Sequence, residues 1–333
     1  MRLVKKEIAL EQIDAKLTGI PRQRWAVLPT PIHELPALAS LSDCRVFCKR
    51  DDLTGFGFGG NKARKLEFLI ADAIRLGCDT LLAVGANQSN FCRMVAAYGS
   101  AQLMDVHLML GGPEPAVPTG NLRLDHLLGA QCHHVQSSDW GDWEARAASL
   151  QDELTRAGRT VYRMPVGGST VVGSFGYVAG MSEILDDEKR TGVHFAAIVL
   201  ASSSAGTQAG LVVGKSISNW PGQVLGFSVA KQQKCQQQEV LTLAQATAHR
   251  LGAAIDPNSI CIDDCYLGEG YAQPTKAGAE AVQFFARKCG IFLDYVYTGK
   301  AAAGLVDYLR AGRFAPGSAI LFLHTGGNTE LFA

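Results

Sequence analysis

Short β-rich runs alternating with helical patterns along 333 residues predict an α/β protein whose strands run mostly parallel. Two observations carry that prediction. Runs such as "AAIVLA" (196 to 201) and "SAILFLH" (318 to 324) are continuously apolar, as suits strands buried on both faces of a parallel sheet. The segments between the runs read as helices throughout. With 47% hydrophobic residues the chain can bury a large core, and its length favours two domains.

Taken in order, "MRLVKKEIALEQIDAKL" places its apolar residues as a short amphipathic helix, without the apolar core of a signal peptide. "CRVFCKR" reads as a strand or strand end, and a helix is expected over 62 to 76. "DTLLAVG" (79 to 85) and "DVHLMLGG" (105 to 112) are strands flanking a helix at 90 to 102. Proline and glycine mark "GGPEPAVPTG" (111 to 120) and "RMPVGGSTVVGS" (163 to 174) as loops, the second suited to a crossing between domains. Further helices are expected at 141 to 157, 174 to 188, 207 to 218, 239 to 251 and 275 to 289, with "VLGFSV" (224 to 229) as another strand.

Zero formal net charge gives the chain no general pull toward nucleic acid or acidic membranes, and its apolar stretches are too short to cross a bilayer. A soluble protein with a small-molecule partner is expected. Nine scattered cysteines suit free thiols in a reducing compartment, the cytosol. Cys44 with Cys48, Cys261 with Cys265, and Cys132 with His133 and His134 lack the spacing of zinc sites, so no metal is expected.

In open α/β sheets, ligands collect beyond the carboxyl ends of strands. Four loops there have unusual composition. "GFGFGGNKARKLEFL" (55 to 69) sets glycines and Asn61 before Lys62, yet fits neither the P-loop nor the dinucleotide glycine spacing. "GANQSNFCR" (85 to 93) brings Gln88, Ser89 and Asn90 to a helix start. "ASSSAGTQAGL" (201 to 211) has the composition of an anion nest, and "LHTGGN" (323 to 328) follows the final strand. Each loop taken alone is also ordinary turn and cap chemistry. Together, one lysine, one phosphate nest and a hydroxyl-amide loop are the parts that hold pyridoxal phosphate as a Schiff base.

These motifs, with "LPTPIHEL", "GGS" at 167 to 169, "SAGTQAGL", "DYVYTGK" and "HTGG", carry a nearly end-to-end resemblance. The chain resembles the D-cysteine desulfhydrase and 1-aminocyclopropane-1-carboxylate deaminase family of fold-type II pyridoxal phosphate enzymes. The resemblance implies a tryptophan synthase β-like fold of two open, twisted, mostly parallel sheets flanked by helices. It implies a large cofactor-binding domain of residues 1–65 plus 166–333, a small inserted domain of 66–165, and a homodimer. Lys62 would carry the cofactor with Asn61 beside it, Asn90 would face the ring hydroxyl, and Ser204, Ala205, Gly206 and Thr207 would wrap the phosphate. Gln88 and Ser89 would take the substrate carboxylate, while Tyr297 and Tyr271 would border the reacting atoms. The reaction implied is loss of a β-substituent to give pyruvate and ammonia.

Thr298 stands where the similar deaminases carry glutamate, and Thr325 replaces leucine in their "HLGG", so neutral hydroxyls are expected near the pyridine nitrogen. That favours the desulfhydrase branch, whereas "TQAG" looks more like the deaminases. Asn87 and Phe91 around "QSN", Tyr295 in "DYVY", and "GYAQPT" depart from the family pattern. They suit either repacked loops or a changed substrate, cysteate and the cyclopropane among the candidates. A cofactor-carrying protein without catalysis and a nucleotide-binding α/β protein are the readings from other classes.

Overall fold

Ten strands divide between two sheets in the computed structural model, which describes residues 2–333 and their side chains from Leu10 onward. The chain runs through α1 (Arg2–Leu17), β1 (Ile32–Glu34), β2 (Arg45–Arg50), α2 (Lys62–Arg75), β3 (Thr80–Ala86), α3 (Asn90–Ala101), β4 (Asp105–Gly111), α4 (Gly120–Leu127), β5 (Gln131–Val135), α5 (Trp140–Arg156) and β6 (Val161–Met164). It continues with α6 (Val171–Thr191), β7 (Phe195–Ser202), α7 (Gly206–Ser218), β8 (Gln223–Ser228), α8 (Gln233–Arg250), β9 (Cys261–Asp263), α9 (Lys276–Cys289), α10 (Thr298–Arg310) and β10 (Ala319–His324). The six-stranded sheet has the order β1-β2-β10-β7-β8-β9 and is parallel apart from the β1–β2 pair. The four-stranded sheet, β5-β4-β3-β6, is wholly parallel and draws only on residues between 80 and 164.

Both sheets are covered on both faces, which is why their strands lack polar alternation. Along β10, Leu321 and Leu323 enter the core beneath α6, α7 and α8, while Ile320 and Phe322 enter the core beneath α9 and α10. Leu81 and Ala83 of β3 likewise face one core and Leu82 and Val84 another, as a period of two requires. Among the described residues no helix is long and apolar enough to cross a membrane.

Helix boundaries follow local chemistry. Ser89 caps α3 by accepting from the Cys92 N–H, and Gly192 and Gly290 end α6 and α9 in the left-handed region. Helix α6 begins at Val171 rather than 174 because Thr170 accepts from the Gly173 N–H. Helix α8 begins at Gln233 rather than 239, since its first turns are glutamine-rich and show no apolar period. Helix α10 is buried on nearly every side from Thr298 to Val306, and a Cβ on its Gly304 would lie 2.4 Å from the Phe227 ring.

One buried ionic cluster joins α2 to both β2 and α6. Arg64 donates from Nε and Nη2 to the two carboxylate oxygens of Asp51 at 2.8 Å, and from Nη1 to Glu183 Oε2 at 2.8 Å. Lys49 meets Glu183 Oε1 at 2.5 Å and Asp187 Oδ2 at 2.6 Å. The Tyr177 and Thr30 hydroxyls donate to Asp51 at 2.5 and 2.8 Å. Each buried charge is thus paired and hydrogen-bonded, the condition under which burial is tolerated.

Removing one member strands the others. Arg64→Ala should lower the unfolding free energy by about 3–5 kcal/mol in equilibrium urea unfolding, and a loss under about 1 kcal/mol would contradict that role. Burial pushes the Glu183 carboxyl up, but Arg64 and Lys49 outweigh it and hold the group at about 2. Its contribution should therefore be complete above about pH 4.5 and disappear as pH falls toward 2. Acid unfolding of Glu183→Gln should be less steep across that window.

Candidate active site

The strand ends of both sheets open onto one cavity, lined by residues of both layers. The glycine-rich loop enters it first. Gly55, Gly57, Gly59 and Gly60 all have positive φ, and a Cβ on Gly59 would lie 2.4 Å from the Asp52 carbonyl oxygen, so the loop folds back on itself as no other residue type permits. The Asn61 N–H donates to the Thr325 carbonyl at 2.9 Å, tying the loop to the end of β10. Lys62 then opens α2 with its amine in the cavity, where Nζ donates to Asn61 Oδ1 at 3.1 Å. Burial and the Arg93 guanidinium pull the Lys62 ammonium down to about 8, against a smaller opposing effect of Asp294.

Facing it, the turn between β7 and α7 presents Ser203, Ser204, Ala205 and Thr207 at a helix N-terminus. Ala205 is held at φ 67°, ψ −39°, a conformation that costs about 1–3 kcal/mol and collects at functional sites. Asn61 Nδ2 donates to Thr207 Oγ1 at 2.9 Å, linking the lysine loop to this turn. Lys65, one turn beyond Lys62, donates to the Gly167 carbonyl at 2.9 Å and to Ser169 Oγ at 3.2 Å. A Cβ on Gly206 would fall 2.5 Å from that Lys65 amine, so a buried amine stands directly behind the turn. Burial, then Lys62, lowers the Lys65 ammonium well below the usual lysine range.

Ser89, Asn90 and Phe91 line the wall formed by the four-stranded layer, Phe91 being 2% exposed. On the other wall the Tyr271 and Tyr297 hydroxyls are 2.5 Å apart. Burial raises Tyr271 to about 12 and Tyr297 further, so both remain protonated near neutral pH. Rings continue outward from them: Trp140 meets Tyr271 edge-on at 5.5 Å and stacks at 6.2 Å with Trp143. Among the described residues, the charged side chains lining the cavity are Lys62 and Arg93, with no acid among them.

Of the residues expected at the site, Lys62, Asn61, Ser89, Asn90, Ser204, Ala205, Thr207, Tyr271, Tyr297 and Thr325 line this cavity. Gly206 lies just behind it, donating its N–H to Ser169 Oγ at 3.2 Å. Three others differ from expectation. The Gln88 amide is committed to the α4 start, donating to the Thr119 carbonyl and accepting from the Asn121 N–H, so it shapes the loop. Asn87 is held by the Pro113 carbonyl and His134. Thr298 turns its hydroxyl to buried Asp294, donating to Oδ2 at 2.6 Å, because that carboxylate organises the start of α10. Tyr295 lies on the surface, 36% exposed.

Arg93, Lys65, Trp140 and Trp143 were missed. Arg93 lies three residues after Asn90, and Lys65 three after Lys62, so helical spacing carries each to the same face as a recognised site residue. Trp140 and Trp143 open a helix from the other side of the cleft, and nothing local in "SSDWGDW" points inward.

An amine that turns neutral near pH 8, opposite a serine-rich turn at a helix N-terminus, suits an aldehyde cofactor held covalently at one end and by its phosphate at the other. That places the chain in a class, the pyridoxal phosphate enzymes built on two parallel sheets. The chain belongs to the pyridoxal-phosphate dependent enzyme family, whose sequence pattern matches residues 25–326. It is 38% identical to the D-cysteine desulfhydrases of Salmonella typhi and Salmonella typhimurium over 322 residues, covering 95% of this chain and 97% of each relative. A crystal structure of an ACC deaminase homologue superposes with a TM-score of 0.90 at 36% identity, covering 96% of both chains. A fungal L-serine ammonia-lyase from Rhizomucor miehei, at 15% identity and a TM-score of 0.67 over 91% of this chain and 94% of its own, shares the fold. The protein is a pyridoxal phosphate enzyme.

Only the neutral lysine amine attacks an aldehyde. Cofactor uptake by the apoprotein, followed by stopped-flow absorbance, should therefore rise with pH to a plateau above about 8 and fall about tenfold per unit below it. A rise that continued to the ordinary lysine range would refute this. Lys65→Met should weaken cofactor binding by about tenfold or more, since it removes the buried donor that ties Gly167 and Ser169 behind the turn.

Proposed function

We propose that this enzyme is a lyase that removes a β-substituent from a small amino acid, with D-cysteine and water as reactants and hydrogen sulfide, pyruvate and ammonia as products. The observation that carries this reading is the juxtaposition of the Lys62 amine with two kinds of protonated hydroxyl in a cavity without acids. The curated relatives named D-cysteine desulfhydrase support the choice of substrate.

Pyridoxal phosphate, when bound, supplies an electron sink conjugated to the substrate's α-carbon. Lys62 would hold it at the aldehyde, and Ser204, Ala205, Gly206 and Thr207, with Lys65 behind them, would hold the phosphate. Thr325 would offer the ring nitrogen a neutral hydroxyl, and with no carboxylate along the cavity the ring stays a moderate acceptor, sufficient for a good leaving group such as thiolate.

Lys62, its amine neutral once deprotonated, takes the proton from the α-carbon. Ser89 Oγ already accepts from the Cys92 N–H, so its own proton is free to bind the substrate carboxylate. In the Tyr271–Tyr297 pair one hydroxyl donates to the other, leaving a second proton to meet the departing sulfur. The Trp140 and Tyr271 rings give the substituent an apolar wall, which favours a neutral thiol over a sulfonate. We propose further that the chain divides into domains 1–65 plus 166–333 and 66–165 around this cleft, and works as a cytoplasmic homodimer.

Purified enzyme should be yellow, the colour should shift on borohydride reduction, and Lys62→Ala should lack it. D-cysteine should yield keto acid at a kcat/KM at least about tenfold above that for L-cysteine, L-cysteate, D-serine or aminocyclopropane carboxylate. Turnover of the cyclopropane alone would replace desulfhydration by ring-opening deamination, and a yellow protein inert to the whole panel would be a binder. Tyr297→Phe should lower kcat by about 10²-fold or more while leaving the colour.

A further inference from the structure

After β10 the chain turns through Gly326 and Gly327, both with φ above 90°, into a single 3-10 turn over Asn328–Phe332. This turn leaves the six-stranded layer and packs on α4 of the other layer. Its Thr329 Oγ1 is 2.7 Å from Asn121 Oδ1, 3.1 Å from Asn90 Oδ1 and 3.0 Å from Arg93 Nη1. Arg93 also donates from Nη2 to the Gly59 carbonyl at 2.8 Å, in the loop that precedes Lys62. Arg93 is 2% exposed and Asn121 fully buried.

Two members of this cluster have only one possible polarity, and they orient the rest. The Gln88 carbonyl can only accept, so the Asn121 atom 2.9 Å from it is the amide nitrogen. That same nitrogen lies 3.0 Å from the Asn90 side chain, which must therefore present its oxygen. Arg93 can only donate, so Thr329 Oγ1 accepts from it and sends its single proton toward the amide oxygens of Asn121 and Asn90. With its oxygen engaged from two sides, Asn90 is left with its N–H₂ for the cavity it lines.

We propose that Thr329 is a positioning residue: by joining Arg93, Asn121 and Asn90 across the two layers, it holds the Asn90 amide with its donor toward the ring oxygen of the bound cofactor. The role rests on reading the cavity as the pyridoxal phosphate site. It assigns the turn after β10 a function apart from closing the sheet. It also makes correct seating of the two layers a condition for a correctly oriented Asn90.

Three variants test it. Thr329→Val keeps the shape and removes the hydroxyl, Thr329→Ser restores the hydroxyl, and Asn121→Asp removes the donor that fixes the Asn90 oxygen. Each holoenzyme is titrated with pH while its visible absorbance is recorded, and cofactor retention is measured after dilution. Thr329→Val should displace the pH at which the band changes and weaken retention about tenfold, with kcat for D-cysteine falling more than KM changes. Thr329→Ser should return all three toward wild type, and Asn121→Asp should shift the band as Thr329→Val does. A Thr329→Val enzyme with unchanged band, titration and retention overturns the proposal, even if its melting temperature drops. Should that variant not fold, Thr329→Ala is read in its place: an unshifted band with normal retention overturns the proposal, and a shifted band that Thr329→Ser does not show supports it. Wild-type protein that takes up no pyridoxal phosphate would overturn the cavity reading together with this role, whereas normal uptake with insensitive variants removes only the role of Thr329.

Discussion

The Arg64 guanidinium, buried between Asp51 and Glu183, is the constraint on which the rest of the architecture depends. It lies two residues beyond Lys62 in α2, and its carboxylate partners come from the end of β2 and the middle of α6. A helix held at that point by fixed forks of hydrogen bonds can neither slide nor rotate without stranding a charge in the core. The start of α2 is thereby set against the ends of β2 and β10, and Lys62 takes its place in the cavity as a consequence. The positive-φ glycines before it provide the sharp return that such a short path from β2 demands.

From that placement the electrostatics follow. Cations gather around the cavity from three helix starts: Lys62 and Lys65 on α2, Arg93 on α3, and the N-terminus of α7 as a partial positive charge. Acids nearby are turned to structural use, as Asp294 shows by accepting from the backbone N–H groups of Val296, Tyr297 and Thr298. Crowded cations in a desolvated site repel one another, and the relief is deprotonation of the lysines, since arginine does not yield its proton. The same arrangement that would attract a phosphate and a carboxylate therefore favours a neutral amine between them.

Legibility in the sequence followed burial geometry. Strands β3, β4, β7, β8 and β10 were readable because burial on both faces leaves a continuous apolar run. Edge strands β5 and β6, half exposed and short, carry "QCHHV" and "VYRM", which no period singles out. Helix α10 escaped for the opposite reason, being buried from Thr298 to Val306 with exposed polar residues only in its last turn, and Gly299 and Gly304 weaken its helical signal. At the site, Lys62 and the serine turn were legible because several such loops occur together beyond strand ends, although each alone is ordinary turn chemistry. Thr298 was misplaced because its neighbour Asp294, four residues away in sequence, offers the nearer acceptor.

The sequence by itself determined the fold class and singled out the lysine loop and the serine turn, since each is written in contiguous residues whose backbone needs or hydrogen-bonding capacity are local. Tertiary structure alone decided which side chains meet across the cleft. Thr329 reaches Asn90 over a separation of 239 residues, Trp140 reaches Tyr271 from the other layer, and Lys65 reaches Ser169. Such contacts depend on how two separately cored sheets are seated against each other, a relation that no local pattern encodes. They also settle the orientation of an amide and the charge of an amine, because donors, acceptors and desolvation act through distance in space.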